Sequence, residues 1–290
     1  MDKISIMTFT DPMMGLSYEC EPIFRKLETH FLEKIEFRYV MSGLVRSVYD
    51  LVDPNDLPKG NEVAIRNYNV RLAKIYEGEE SIMGMPINMT NFQLFSSEHT
   101  SSIPLNLAYK AAELADKEKA DLFLYNLRYA TIVDCRPTTR REEIIKVVGK
   151  TGIDTKDFLW HFDGETAKKA LESDFALGQK YGLRSLPSYL FEYGEKRMLV
   201  QGLIGYDNFV EIIAQISLER IKPQPIPATI ENIRELLKKH PLISPIEIRE
   251  AFDLRDTETV RELLEPLISD GFVKVCEVYH GWFIEKTEVA

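Results

Sequence analysis

The chain has 290 residues, a formal net charge of −10, 44% hydrophobic residues and 28% charged residues. This balance is typical of a soluble globular protein, the length suits two domains better than one core, and the negative charge argues against general attraction to nucleic acid. No apolar run approaches the roughly eighteen residues of a membrane span, and the N-terminus lacks the pattern of a secretory signal, so we expect a cytoplasmic protein.

A strand, a helix and a second strand are predicted at the start of the chain. Residues 3–10 are rich in apolar side chains and end at Asp11-Pro12, which predicts a strand followed by a turn. Apolar residues at helical spacing predict one helix over residues 16–32, and alternating polarity predicts a strand over residues 35–40. This order is the βαβ beginning of a parallel sheet.

Helical patterns then follow one another without a strand between them. They cover residues 61–80, 101–117, 119–130, 139–150, 154–161 and 164–181. We therefore expect a helical insertion, at about residues 61–181, in the sheet domain. Strand patterns return at residues 188–192 and 197–201, which a short turn joins into a hairpin, and a helix is predicted from Tyr206 to about Arg220.

Three prolines at alternate positions mark a domain boundary. Pro223, Pro225 and Pro227 predict a stiff, extended linker at residues 221–228. The linker would separate a first domain, residues 1–220, from a second, residues 229–290.

The second domain has the element order of a winged helix. Three helical patterns are followed by a β-hairpin that turns at His280-Gly281. Residues 228–290 carry eight basic and thirteen acidic residues, and the would-be recognition helix begins Asp256-Thr257-Glu258. Because contact with phosphates requires Lys and Arg, this composition favours a protein-docking or dimerisation module over DNA binding. A ligand-sensing transcriptional regulator stays open as an alternative.

Two segments of the first domain resemble a known family. Residues 10–27 (Thr-Asp-Pro-Met-Met-Gly-Leu-Ser-Tyr-Glu-Cys-Glu-Pro-Ile-Phe-Arg-Lys-Leu) resemble the active-site segment of the DsbA-type thiol oxidoreductases of the FrnE branch, in which C-x-x-C opens the helix. Residues 181–191 are similar to the family's cis-proline loop, with Leu186-Pro187 at its centre, and residues 202–206 fit the end of its hairpin. The resemblance spans about residues 3–218 and implies an α/β, thioredoxin-like fold with a helical insertion.

The family's two cysteines are missing from this chain. The resemblance places Met14 at the nucleophilic position and Ser17 at the resolving position. A thioether cannot form a thiolate, and disulfide exchange requires one activated thiol and a second to release the mixed disulfide. We therefore expect no dithiol–disulfide activity, although the family itself is enzymatic.

The remaining cysteines and histidines show no catalytic or metal-binding spacing. Cys20 lies one helical turn beyond Ser17, where a helix dipole would favour a thiolate. It also shares a helix face with Leu16 and Ile23, which favours a place in the core. Cys135 and Cys276 are isolated in sequence, and the five histidines are scattered, so no metal site is predicted.

The scaffold can bind ligands without its cysteines. The resemblance implies that the Leu186-Pro187 loop offers free backbone groups to a peptide or to glutathione, opposite the start of the first helix. The candidate binding residues are Met14, Gly15, Leu16, Ser17, Tyr18, Leu186 and Pro187. Our first hypothesis is a redox-inactive adaptor or chaperone that binds a peptide or protein in this degenerate groove, because some cytoplasmic relatives are adaptors for regulated proteolysis.

A second resemblance supports an enzymatic alternative. Kappa-type glutathione transferases and chromene-carboxylate isomerases share the fold and hold the glutathione thiolate with a serine at the helix start. Their serine matches the position of Met14, one turn away from Ser17. Ser17 as an ordinary N-cap is the competing interpretation. Glutathione is accordingly the one candidate cofactor, and a glutathione-dependent transferase or isomerase is the second hypothesis.

Overall fold

The computed structural model describes residues 3–287. A four-stranded sheet lies at its centre, in the order β2-β1-β3-β4. Its strands are β1 (Ile4–Thr10), β2 (Ile35–Met41), β3 (Ser188–Tyr193) and β4 (Lys196–Gln201). β1 is parallel to β2 and antiparallel to β3, and β3 forms the expected hairpin with β4. The mixed sheet and its flanking helices confirm the predicted α/β class.

The first helix is broken, which corrects the prediction of a continuous helix over residues 16–32. α1 (Gly15–Glu19) and α2 (Glu21–Phe31) are separated at Cys20. Pro22 has no N–H to donate to the carbonyl one turn earlier, and its ring crowds that turn, so a proline here bends the helix. The break lets α2 turn along the sheet and pack on it with α9 (Tyr206–Ser217).

All six helices of the expected insertion are present. They are α3 (Asn61–Glu79), α4 (Ile103–Ala115), α5 (Ala120–Ile132), α6 (Arg141–Thr151), α7 (Thr155–Asp163) and α8 (Glu165–Lys180). Their apolar faces form a core that includes Leu105, Phe123 and Phe158 and that Tyr18 of α1 and Phe283 of the C-terminal part also enter. Within residues 3–287, no helix combines the length and the apolar character that crossing a membrane requires.

The C-terminal part contains three helices and a small sheet. The helices are α10 (Ile230–Lys239), α11 (Pro245–Ala251) and α12 (Thr257–Ser269), and the strands are β5 (Leu242–Ile243), β6 (Val273–Val278) and β7 (Gly281–Lys286). The sheet has the order β5-β7-β6. β5 was not predicted, because two residues carry no periodicity and this strand exists only through its pairing with β7. Residues 1–2 and 288–290 of the two predicted domains lie outside the described residues.

The C-terminal part packs tightly on α2. Residues 220–229 have neither helix nor strand, and Ile221 within them is buried in the core beneath the sheet. α11 lies along α2, where the Arg25 guanidinium forms ion pairs with Glu21 (2.7 Å) and Glu28 (2.8 Å) of its own helix and with Glu247 of α11 (3.2 Å). The sequence predicted a linker but no such interface.

Candidate functional site

The two segments that resemble an active site meet at one edge of the sheet. Phe9 of β1 pairs with Ser188 of β3, so Thr10 lies level with Pro187. The Leu186–Pro187 peptide bond is cis, as predicted. The carbonyl of Pro187 accepts a hydrogen bond from the backbone N–H of Gly202 (2.8 Å), which fixes the loop at the end of the hairpin.

Asp11 organises the turn between β1 and α1. Its buried carboxylate accepts hydrogen bonds from the backbone N–H groups of Met13 (3.0 Å) and Leu44 (2.7 Å) and from the side chains of Ser102 (2.7 Å) and Asn106 (2.7 Å). Burial raises the pKa of Asp11, and these hydrogen bonds partly offset that rise. Asp11 thus joins three segments of chain, whereas the sequence had marked it only as a turn residue.

Ser17 points into the protein. It is the third residue of α1, and the N-cap position belongs to Met14, which makes no side-chain capping bond. Ser17 is 1% exposed, and its hydroxyl oxygen accepts a hydrogen bond from the Thr10 hydroxyl at 2.7 Å. The N-cap interpretation is therefore wrong. The hydroxyl is also out of reach of a glutathione thiolate on the surface.

The last turn of α3 covers the start of α1. The Tyr76 hydroxyl donates to the carbonyl of Met13. A Cβ atom added at Gly15 would lie 1.9 Å from the Glu79 Oε2 and 2.6 Å from the Tyr76 ring, so only glycine fits beneath this turn. Among the candidate residues of this region, Met14 is 7% exposed, Gly15, Ser17 and Tyr18 are buried, and Leu16 keeps intermediate exposure. This end of the expected groove is filled by the protein itself.

Glu79 is expected to make the stability of this contact depend on pH. Burial raises the pKa of Glu79 from 4.5 to about 7, and its Oε2 atom has no hydrogen-bond partner within residues 3–287. The folded state binds the Glu79 proton more tightly than the unfolded state does. The stabilisation that this gives the folded state is therefore complete below pH 4.5 and is lost as pH rises through about 7. The free energy of unfolding of the natural protein should therefore fall relative to that of Glu79→Gln between about pH 5 and about pH 8.

Urea unfolding across that pH range measures the difference. Glu77→Gln, at an exposed position on the same helix, is the matched control. Parallel stability curves for the natural protein and Glu79→Gln would contradict the raised pKa of Glu79.

Cys20 lies in the core, as its helix face predicted. It is 1% exposed, and its Sγ lies 3.4 Å from the Tyr189 hydroxyl. Burial raises the pKa of Cys20 to about 12, so a thiolate does not form at neutral pH. Cys135 and Cys276 are half-buried, and burial also raises the pKa of each thiol. Within the described residues, no three His, Cys, Asp or Glu side chains are placed to hold a metal ion.

Cys20 should resist alkylation in the folded protein. With iodoacetamide, followed by peptide mass spectrometry, Cys135 and Cys276 should be modified before Cys20, which should react only after unfolding in guanidinium. The reason is that Cys20 is buried from solvent and that its thiol is not ionised at neutral pH. Modification of Cys20 at the rate of the other two thiols would show that it is accessible and reactive, and Cys20 would again be a candidate nucleophile.

Arg128 is a buried side chain that sequence reasoning missed. It is fully enclosed and donates to Glu21 (2.5 Å) and to the Thr10 hydroxyl (3.0 Å), which in turn binds Ser17. Arg128 therefore connects α5 of the insertion to the end of β1 and the start of α2, both within residues 10–27. The only signal in the sequence was an arginine among the apolar residues of α5.

The other end of the expected groove is open. A cavity of about 510 Å³, here called the Leu186 groove, lies between the loop after β2, the end of α8 and the loop before β3, and its lining falls within residues 42–46, 174–179 and 182–186. Phe175, Leu183 and Leu186 form its apolar floor, and Leu44, which is 44% exposed, stands at its rim. The backbone N–H and C=O of Leu186 form no hydrogen bond within the described part of the chain. This groove can accept an extended segment of another chain.

Comparisons with known proteins agree with this architecture. The family model described as Thioredoxin matches residues 7–211. Among curated proteins, the chain is similar to the ClpXP adapter protein SpxH of Halalkalibacterium halodurans, with 25% identity over 263 residues that cover 90% of this chain and 81% of the relative. The protein of the same name from Bacillus subtilis is 23% identical over 288 residues, which cover 97% of this chain and 88% of the relative.

Solved structures show the same fold. A protein from Nitrosomonas europaea that was proposed to be a disulfide isomerase superposes with a TM-score of 0.62 at 15% identity, covering 76% of this chain and all of that structure. The cytosolic disulfide reductase DsbM of Pseudomonas aeruginosa, crystallised with glutathione, gives a TM-score of 0.54 at 18% identity, covering 73% of this chain and 99% of that structure. At these identities the structural likeness concerns the fold alone.

Proposed function

The chain belongs to the thioredoxin family over residues 7–211, and from that premise we propose that it is a redox-inactive adaptor, which binds a protein partner and performs no thiol chemistry. The observation that carries this proposal is the state of the old catalytic positions. Met14 and Ser17 replace the two cysteines, and Ser17 is enclosed and hydrogen-bonded to Thr10. Cys20 cannot replace them because its thiol is buried with a pKa of about 12.

The relatives support a role in delivery to a protease. Proteins named ClpXP adapter protein SpxH match almost the whole chain, including the C-terminal part that lies beyond the thioredoxin match. We take from them that this chain brings a protein substrate to a ClpXP-type protease. The glutathione-dependent alternative is not favoured, since the Ser17 hydroxyl is buried.

The partner is expected to dock at the Leu186 groove. Met14, Gly15, Ser17, Tyr18 and Pro187 are buried, whereas Leu16 and Leu186 keep intermediate exposure. Of the candidate residues, Leu186 is the one that lines the groove. The free backbone groups of Leu186 can pair with an extended chain. The apolar floor would then receive a side chain of that segment.

The C-terminal part is proposed to be a winged-helix module, residues 229–290, joined to the first domain, residues 1–220, by the linker at 221–228. Its element order and its three-stranded sheet support this proposal. Cations near the start of α12 are paired: Arg255 contacts Asp256 (2.7 Å), and Arg261 lies 3.6 Å from Glu277. Such a surface offers little to phosphates, so protein contact is favoured over a DNA-reading regulator.

Substrate capture followed by reconstituted degradation tests the function. The full chain serves as bait in extracts of its own organism that lack active ClpP, and captured proteins are then incubated with ClpX and ClpP. Faster degradation of a captured protein when the chain is added supports the proposal. Unchanged degradation of every captured protein, or insulin reduction above the uncatalysed rate, would overturn it.

A variant that fills the groove locates the docking site. Ser185 is exposed and lines the Leu186 groove, so Ser185→Trp should obstruct it while leaving the core intact. Ser81→Trp, at an exposed position outside the groove lining, is the matched control. Capture that is equal for both variants would place the partner elsewhere on the molecule.

A further inference from the structure

The Leu186 groove carries two arginines whose charge is not balanced. We propose that the groove selects an extended partner segment in which acidic side chains flank an apolar one, with Arg46 and Arg184 binding the carboxylates. The inference rests on the proposed adaptor function and adds the chemical class of the segment that is recognised.

The shape of the groove favours a narrow, extended occupant. Its floor is apolar at Phe175 and Leu183, and its walls include bare backbone. Gly43 has a φ of +62°, and a Cβ atom there would lie 2.9 Å from Ile103 and 3.1 Å from Phe175, so the wall depends on glycine at this position. A strand-like segment places successive side chains on opposite sides, which lets one side chain enter the floor while its neighbours reach the rim.

The charges of the groove favour an acidic occupant. Arg46 and Arg184 are exposed, and neither forms an ion pair within residues 3–287. The Arg46 guanidinium lies 4.4 Å from the centre of the Phe175 ring, which holds this charge over the apolar floor. Planar guanidinium groups bind carboxylates through paired hydrogen bonds.

The one carboxylate of the lining forms no ion pair with the rim arginines. Asp174 lines the groove, but its Oδ2 lies 3.2 Å from the Lys110 ammonium, which also pairs with Glu113, and accepts the backbone N–H of Met41 at 2.9 Å. Its carboxylate is thus engaged by Lys110 and Met41 rather than by either rim arginine. The groove presents a positive rim on a protein whose net charge is −10. An acidic segment is repelled by most of the protein surface and attracted by the rim of the Leu186 groove. The charges therefore set the position of the segment in the groove as well as its affinity.

Peptide binding to the full chain tests the inference. The probe is a rhodamine-labelled peptide of about ten residues with Asp and Glu around a central Phe-Leu pair, and the reference is the same peptide with Lys at every acidic position. Fluorescence anisotropy should show tighter binding of the acidic peptide by at least roughly ten-fold, and weakening as salt rises from about 50 mM to about 200 mM. Equal binding of the two peptides would overturn the inference.

Charge reversal assigns the effect to the two arginines. Arg46→Glu combined with Arg184→Glu should cost the acidic peptide roughly ten-fold in affinity and should improve binding of the basic one. Arg66→Glu, at an exposed position on α3, is the control and should change neither affinity. Unchanged preference after the double reversal would refute the role of these arginines.

The same variants separate this inference from the adaptor function. If Ser185→Trp abolishes substrate capture and the double reversal does not, the groove is the docking site and the acidic specificity is wrong. If both changes abolish capture and the acidic peptide competes with the captured protein, the specificity is supported. If neither change affects capture, docking at the groove fails and the specificity fails with it.

Discussion

Replacing Arg25 with alanine should lower the free energy of unfolding by about 3–5 kcal/mol. The Arg25 guanidinium is almost fully buried between α2 and α11, where it contacts three carboxylates, on Glu21, Glu28 and Glu247. Without it, negative charges remain enclosed with fewer cations to balance them, and that residual charge is what makes breaking a buried ion pair costly. Because Glu247 belongs to α11, the change should also loosen the C-terminal part from the thioredoxin part.

Two measurements check this expectation. Guanidinium unfolding gives the stability, and limited proteolysis within residues 221–228 reports release of the C-terminal part. Arg38→Ala is the matched control, because Arg38 is exposed on β2 and has no ion pair in the described part of the chain. A loss below about 1 kcal/mol, typical of a surface pair, would show that Arg25 is not the link between the two parts.

Asp11→Ala should be destabilising to a similar degree, by about 3–5 kcal/mol. The Asp11 carboxylate receives four hydrogen bonds, from Met13, Leu44, Ser102 and Asn106. Its removal leaves buried donors without an acceptor, and each such group costs about 1–3 kcal/mol when water cannot replace the partner. Leu44 also stands at the rim of the Leu186 groove, so peptide binding should weaken together with stability.

The milder substitution Asp11→Asn separates the contribution of the Asp11 charge to stability from the contribution of its hydrogen bonds. Asparagine keeps one acceptor oxygen and should recover part of the loss. Urea unfolding measures the stability of both variants, with Asp50→Ala, at an exposed position, as control. If Asp11→Ala unfolds at the same urea concentration as the natural protein, the turn is held by other contacts.

Local patterns were sufficient to predict most elements of this fold. The six insertion helices and the β3–β4 hairpin follow from apolar periodicity and turn residues, which act within a few positions. The break at Cys20 could have been anticipated from Pro22, whose effect is local. β5 could not, because its two residues become a strand only through pairing with Ile284 and Glu285.

The site was harder to predict because its condition depends on contacts between distant residues. The resemblance predicted the cis bond at Pro187 correctly, whereas the assignment of Met14 and Ser17 to the two cysteine positions stays a prediction. Nothing near Gly15 in the sequence indicates that Tyr76 and Glu79 lie on it, since that contact joins positions about sixty residues apart. The same applies to Arg128, whose partners are at the start of the chain.

The helix turn above Gly15 also limits what substitutions at the start of α1 can achieve. Met14→Cys together with Ser17→Cys would write C-x-x-C into the sequence, but position 14 is 7% exposed and position 17 is 1% exposed, so a substrate disulfide could not reach the two thiols. Disulfide exchange would also require space above Gly15, which Tyr76 and Glu79 occupy. Restoring the two cysteines is therefore not sufficient to make this surface a catalyst.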